Sequence, residues 1–233
     1  MKKIKINNEA TYLFAIVLIA FSVALIASTD LGVSMVVAPA YILSLKFPFL
    51  TFGQWEYVLQ GILFAVFCII KKRVKLVYFT SFLNCIVYGA VLDLFRTVIP
   101  FLNPEITAPG SYALPLRIAL LGVGMVLTSF AVALFFKAYL YPQVYDFFVK
   151  GVTAHFNLDR GKFKICYDMS SLAISVILSL TLFAGFKGVG IGTLVMATFN
   201  GLMIGFFDKM LDKYVEFTPA FKKLEKAFDL EEN

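Results

Sequence analysis

Apolar residues gather in six long runs, over residues 10–28, 55–70, 76–94, 114–136, 165–183 and 189–210. Each is close to the ~20 residues that a helix rising about 1.5 Å per residue needs to cross a hydrocarbon layer of about 30 Å. Two further apolar segments, 32–46 and 141–152, are too short to cross, since a helix of ~13 residues reaches only about 20 Å. The pattern predicts an all-α polytopic membrane protein with six spanning helices and two short half-helices or interfacial helices. The first run follows Lys2, Lys3 and Lys5, as a secretory signal would, but its apolar core is too long for one and is expected to stay as a span.

The runs also repeat in the order span, short segment, span, span. A shift of 108 residues lays Phe52, Gly53, Gln54 and Trp55 over Arg160, Gly161, Lys162 and Phe163. At nearby offsets Val87, Tyr88 and Gly89 match Phe199, Asn200 and Gly201. This divides the chain into a first membrane repeat (1–100), an extracytoplasmic linker (101–113), a second membrane repeat (114–211) and a cytoplasmic amphipathic tail (212–233). If the short segments turn back, each repeat crosses three times and the second is inverted relative to the first. If they cross, the repeat is 4+4 and parallel. Charge favours the inverted form. With both termini cytoplasmic, all but Lys46, Arg96, Arg117 and Lys187 of the 21 basic residues stay inside, including the run Lys71, Lys72, Arg73 and Lys75. In the tail, Thr218 and Pro219 start a helix whose Phe217, Phe221, Leu224 and Phe228 lie opposite Lys222, Lys223 and Lys226, a surface suited to anionic headgroups.

Composition agrees with a bilayer as solvent. The chain is 60% hydrophobic and 15% charged, with 26 Phe and a net charge of +6, against roughly 25% charged residues in an average soluble domain. The positive charge follows topology and offers no contiguous basic surface for nucleic acid. Cys68, Cys85 and Cys166 lie in apolar runs without metal-ligand spacing and read as small buried side chains, and His155 has no second ligand nearby. No nucleophile–base pattern, zinc motif or phosphate loop occurs, so neither an enzyme nor a cofactor is expected.

Polar residues in the apolar runs are the candidate chemistry. Gly32 permits a turn after the first span and Ser34 can cap the short helix that follows, aiming free N–H groups at an adjacent cavity. Pro142, Gln143 and Asp146 occupy the matching place in the second half. Gly190 and Gly192 let a helix or a solute approach the backbone closely. Asp168 lies inside its span and Gln60 is its counterpart under the shift, which suggests a central site; a direct interhelical hydrogen bond between the two is the structural alternative. Asn200 and Asn84 lie at mid-span. Glu56 and Asp93 sit close enough to span ends to reach water.

Asp30, Leu31, Gly32, Val33 and Ser34 after a first span, Thr51, Phe52, Gly53, Gln54 and Trp55 after the short segment, and the late run Gly188, Val189, Gly190, Ile191, Gly192 and Thr193 resemble the YczE/YitT-like bacterial integral membrane proteins. The resemblance covers about residues 10–211. The first half shows Lys75–Thr80 where that family has Gly-x-Gly-Thr, and the second has Tyr141 and Pro142 in place of Leu-Gly-x-Ser. The resemblance implies a multi-pass bacterial cell-membrane protein and names no substrate.

The expectation is a small secondary transporter or permease whose substrate-binding residues are Ser34, Gln60, Gln143, Asp146, Asp168 and Asn200, with a proton carried by Asp168 or Asp146. Its partners would be the lipid bilayer, a small-molecule or ion substrate and either a second copy or a partner subunit. A substrate-binding subunit of a multi-component transporter, or a non-transporting accessory protein, fits the same length and spans.

Overall fold

The computed structural model describes residues 3–72, 75–222, 225 and 228. Lys2, Arg73, Lys223, Leu224 and Lys226, which the charge and tail readings used, lie outside the described residues.

The protein is an all-α membrane protein. The helices are α1 (Asn8–Ser28), α2 (Ala38–Lys46), α3 (Phe52–Lys71), α4 (Phe79–Val98), α5 (Leu114–Lys137), α6 (Val144–Phe156), α7 (Arg160–Phe183) and α8 (Ile191–Tyr214). Six of them are long and apolar enough to cross a membrane: α1, α3, α4 with the 3₁₀ turn before it, α5, α7 and α8. Three spans, α1, α3 and α7, begin earlier than their apolar runs because polar caps start them. Thr51 and Gln54 bond reciprocally across the first turn of α3, and Asp159 accepts the Lys162 N–H at the start of α7.

Contacts fix where the helix ends lie. At one end of the bundle, Asn8 bonds the Lys137 carbonyl and Lys137 pairs with Asp208 and Asp212, which joins the start of α1 to the ends of α5 and α8. Two strands that the sequence pattern did not announce, β1 (Ile4–Asn7) and β2 (Val215–Thr218), pair in parallel at this end and hold the two termini side by side. Thr218 is therefore strand, paired with Asn7, and does not cap a tail helix. Phe228 packs on Tyr139 and Tyr141 within the protein, so it is not available to the lipid surface.

At the other end, Arg117 at the start of α5 donates to the carbonyls of Thr29 and Asp30 (2.6 and 3.0 Å), which would otherwise be left open where α1 stops. Gly110 N–H bonds the Ser28 carbonyl, and Lys46 lies over the Phe183 ring at the end of α7.

The two short helices begin inside the bundle. α2 starts at Ala38, later than expected. Residues 34–37 form a turn in which the Ser34 carbonyl accepts the N–H groups of Val37 and Ala38, and its hydroxyl caps nothing. α6 starts at Val144, whose N–H bonds Gln60 in the middle of α3, and Pro142 lies outside the helix. α2 then runs toward the Phe183 end, while α6 runs along α3, where Gly151 meets the Phe67 ring.

The break after α1 is closed by backbone. Leu31 and Val33 bond Gly192 N–H and the Gly188 carbonyl, at 2.8 and 3.1 Å, and Thr193 Oγ donates to the Val33 carbonyl at 2.7 Å. A Cβ at Gly190 would stand 2.5 Å from the Leu31 carbonyl oxygen, and one at Gly32, where φ is +101°, would stand 2.5 Å from Gly190 N. Helix packing follows a regular scheme: α1 on α5, α1 on α4 and α5 on α8, α3 on α6 and α2 on α7. α3 also lies along α4, whereas α7 and α8 do not pack along one another.

Gly190→Ala is expected to lower unfolding stability by about 1–3 kcal/mol through overpacking against backbone. Gly205→Ala, with nothing within 4 Å of the new Cβ, should leave it unchanged or slightly raised. Denaturant unfolding in micelles measures both.

Candidate functional site: a charged cavity between the short helices

A cavity of about 270 Å³ lies where α2 and α6 begin. Five of the six expected site residues line it: Ser34 ahead of α2, Gln143 and Asp146 at α6, Asp168 on α7 and Asn200 on α8. Distant stretches of sequence meet here because both short helices begin at mid-depth, and backbone that breaks within a membrane must face protein or water. Helix starts leave N–H groups without intrahelical partners, so polar atoms gather at this level.

Gln60, the sixth, is placed otherwise. It is fully buried behind the cavity, donating to Glu56 Oε2 at 3.1 Å and accepting the Val144 N–H at 3.2 Å. It does not bond Asp168. Its amide links α3 to the first turn of α6, and both ends of that side chain are occupied.

The charge in the cavity is set by a residue the sequence reading assigned to a loop. Lys164, in the second turn of α7, places its Nζ 3.1 Å from Asp168 and 3.3 Å from Asp146. One ammonium thus serves two carboxylates, and the cavity carries an unmatched negative charge. The signal was available: Lys164 and Asp168 are four apart, and a carboxylate within a span calls for a partner.

Neutral polar atoms complete the lining. Asn200 accepts the Ser129 hydroxyl at 2.5 Å, and the Gln143 side-chain N–H group is buried with no bonding partner. Tyr88 and Tyr145 also line the cavity. Asn84 lies elsewhere, donating to the Tyr12 hydroxyl, which itself donates to the Tyr141 carbonyl.

Asp93 is half-buried near its span end, where water reaches it as expected, whereas Glu56 does not reach water. Glu56 is fully buried on α3, and its Oε2 accepts from Gln60 and from the Tyr145 hydroxyl at 3.2 Å. Asp93 accepts the Thr51 hydroxyl and the Gly53 N–H, holding the start of α3 against α4. Cys85 is buried as expected, but Cys68 is half-buried and Cys166 is exposed on the outer face of α7. Among the described residues no group of His, Cys, Asp and Glu has metal-holding geometry.

The cavity leads outward. A wider vestibule of about 820 Å³ shares Phe136, Asp146 and Lys164 with it and is further lined by Lys137, Lys150, Arg160 and Asp208. It lies at the end of the bundle where β1 and β2 pair. Beside it, Glu9 accepts the Tyr139 hydroxyl and the N–H groups of Ala220 and Phe221, clamping the residues after α8 to the start of α1. Burial and the bond to Glu9 push the Tyr139 phenol above its ordinary range, so it remains a donor.

These features define a polytopic membrane protein with a charged internal cavity beside a wider vestibule. The chain belongs to a family of unknown function, DUF6198, whose model matches residues 6–209 and so covers all six spans apart from the last turns of α8. No curated protein and no solved structure matches it.

In a background without native cysteines, Ser34→Cys and Asn200→Cys are expected to react with a small hydrophilic thiol reagent in detergent. Gln60→Cys should react at least tenfold more slowly. Equal rates at all three positions would show that the cavity and its back wall are not separated.

Proposed function

We propose that the protein is a small secondary transporter and that this structure is its form open toward the cytoplasm. The single observation that carries the reading is the cavity itself: a mid-depth, charged chamber formed where two broken segments meet, joined to a vestibule at one end and shut by the backbone contact of Leu31 and Val33 with Gly188–Thr193 at the other. An alternating-access site has this form.

The order of elements and their contacts support a 3+3 inverted repeat. Exchanging α1–α4 with α5–α8 turns α1 on α4 into α5 on α8, and α3 on α6 into α7 on α2, and all of these contacts occur. α2 and α6 start inside and run toward opposite ends. Orientation follows the basic residues: the vestibule end carries Lys3, Lys5, Lys71, Lys72, Lys75, Lys137, Lys150, Arg160 and Lys162, and this side is assigned to the cytoplasm. The resemblance to YczE/YitT-like proteins supports, on the same reading, a bacterial cell membrane.

Two pairings break the exchange, α3 with α4 and α4 with α6, and the first supplies the motion. α3 lies so close on α4 that a Cβ at Gly53 would meet the Gly89 carbonyl oxygen, whereas Gly161 touches only its own Asp159 and Gly201 faces open space. Closing α7 on α8 as α3 lies on α4 would shut the vestibule side, and parting α3 from α4 would open the other.

Because two carboxylates share one ammonium, a small solute bearing a cationic group suits the cavity. A thermal-shift panel of amines, zwitterionic amino acids and organic anions is expected to find stabilisers among the first two classes, with the gain rising as the logarithm of concentration. Such a compound should then enter proteoliposomes, and Asp168→Asn should reduce its uptake at least tenfold. Stabilisation by anions alone, or binding without transport by the unmodified protein, rejects the reading.

A further inference from the structure

Behind the cavity lies a second polar site that the solute would not touch. Glu56 is fully enclosed among α3, α4 and α6. Its Oε2 accepts two hydrogen bonds, from Gln60 and Tyr145, while its Oε1 has no hydrogen-bond partner among the described residues. The titratable groups that face it are Cys85 and Tyr88 on α4, Tyr145 on α6 and Tyr167 on α7. None of these is cationic, and Glu56 forms no ion pair among the described residues. The contrast with Asp146 and Asp168, which both stand beside Lys164, is complete.

We propose that Glu56 is a proton-binding site, loaded from the cavity through the Tyr145 hydroxyl. A carboxylate taken from water with no counter-ion loses far more solvation than two hydrogen bonds return, and a proton on the carboxyl removes that loss. Tyr145 lines the cavity and already donates to Glu56 Oε2. Loading needs one relay. A hydronium in the cavity gives its proton to the Tyr145 oxygen as the hydrogen of Tyr145 passes to Oε2, leaving water, a neutral phenol and a neutral carboxyl. Gln60 ties the same oxygen to the Val144 N–H at the start of α6, beside Gln143 and Asp146. Occupancy of the cavity and protonation of Glu56 therefore act on one short chain of bonds. The coupling role rests on the transporter reading; the proton site does not.

Infrared spectra of the purified full-length protein in phosphatidylcholine vesicles test the site without any solute. A protonated-carboxyl C=O band is expected at neutral pH. It should vanish in Glu56→Gln and persist in Asp168→Asn and Asp146→Asn. Labelling with ¹³C-glutamate should shift it and ¹³C-aspartate should not, which decides the matter even where a variant fails to fold. On transfer to D₂O, the deuterium shift should be at least tenfold slower in Tyr145→Phe. Absence of the band at neutral pH, its retention in Glu56→Gln, or its loss on replacing N-methylglucamine by sodium at constant pH and ionic strength would overturn the proposal. An unchanged exchange rate in Tyr145→Phe would overturn the relay. Failure of the uptake assay would leave all these results standing.

Discussion

Hydrocarbon offers no hydrogen bonds, so a chain that leaves helical geometry inside a membrane must find partners for every exposed N–H and C=O. The break between α1 and α2 is such a place, and the fold depends on how it is closed. Gly192, Gly188 and Thr193 supply the donors and the acceptor that Leu31 and Val33 need, by backbone and by one hydroxyl. The contact is possible only because Gly32, Gly190 and Gly192 carry no side chain where the two backbones meet. It binds the start of α8 to the end of α1, shuts one end of the bundle, and leaves the polar starts of α2 and α6 facing the cavity between them.

That arrangement sorts the buried polar groups into two kinds. Lys164, Asp146 and Asp168 are charged in pattern, partly exposed and open to the vestibule, where water moderates their interactions. Glu56, Gln60 and Asn84 are enclosed; Gln60 bonds Glu56 within α3, and their other hydrogen bonds run between helices. Tyr145 belongs to both sets, since it borders the cavity and its hydroxyl reaches Glu56. A wet ion pair and a dry carboxyl a few side chains apart differ in what each holds easily: the first exchanges one cation for another, the second exchanges only something as small as a proton.

Much of this was legible in the sequence, for definable reasons. Six apolar runs of bilayer length give six spans, and length alone separates the two short helices from them. Five of the expected site residues share the cavity because a polar residue within a span, or at the start of a broken helix, has few other places to be. The errors share one cause. Glu56 lies near a span end along the chain, but the start of α3 is covered by α4 and α6, and depth is set by neighbours that one-dimensional position does not contain. Lys164 was counted with a basic loop because the apolar run begins at Ile165, whereas α7 begins at Arg160 and carries the lysine inward. β1 and β2 were unreadable in principle, since each is four residues long and pairs with a partner more than two hundred residues away.

The unequal halves are the most informative feature of the packing. Gly53 and Gly161 hold matching places in the sequence, as do Gly89 and Gly201, yet Gly53 and Gly89 are in backbone contact, whereas Gly161 meets only its own Asp159 and Gly201 faces open space. Side-chain bulk does not account for the difference, since all four positions are glycine. The unequal neighbours are charged: Asp93 on α4 accepts from Thr51 and Gly53 and draws the start of α3 in, while the start of α7 is capped by its own Asp159. On the transport reading, α7 is therefore the helix held less firmly, and it carries Lys164 and Asp168. A movement of α7 toward α8 would carry the ion pair with it, so the helix whose position closes the vestibule is also the helix whose charge senses what the cavity contains.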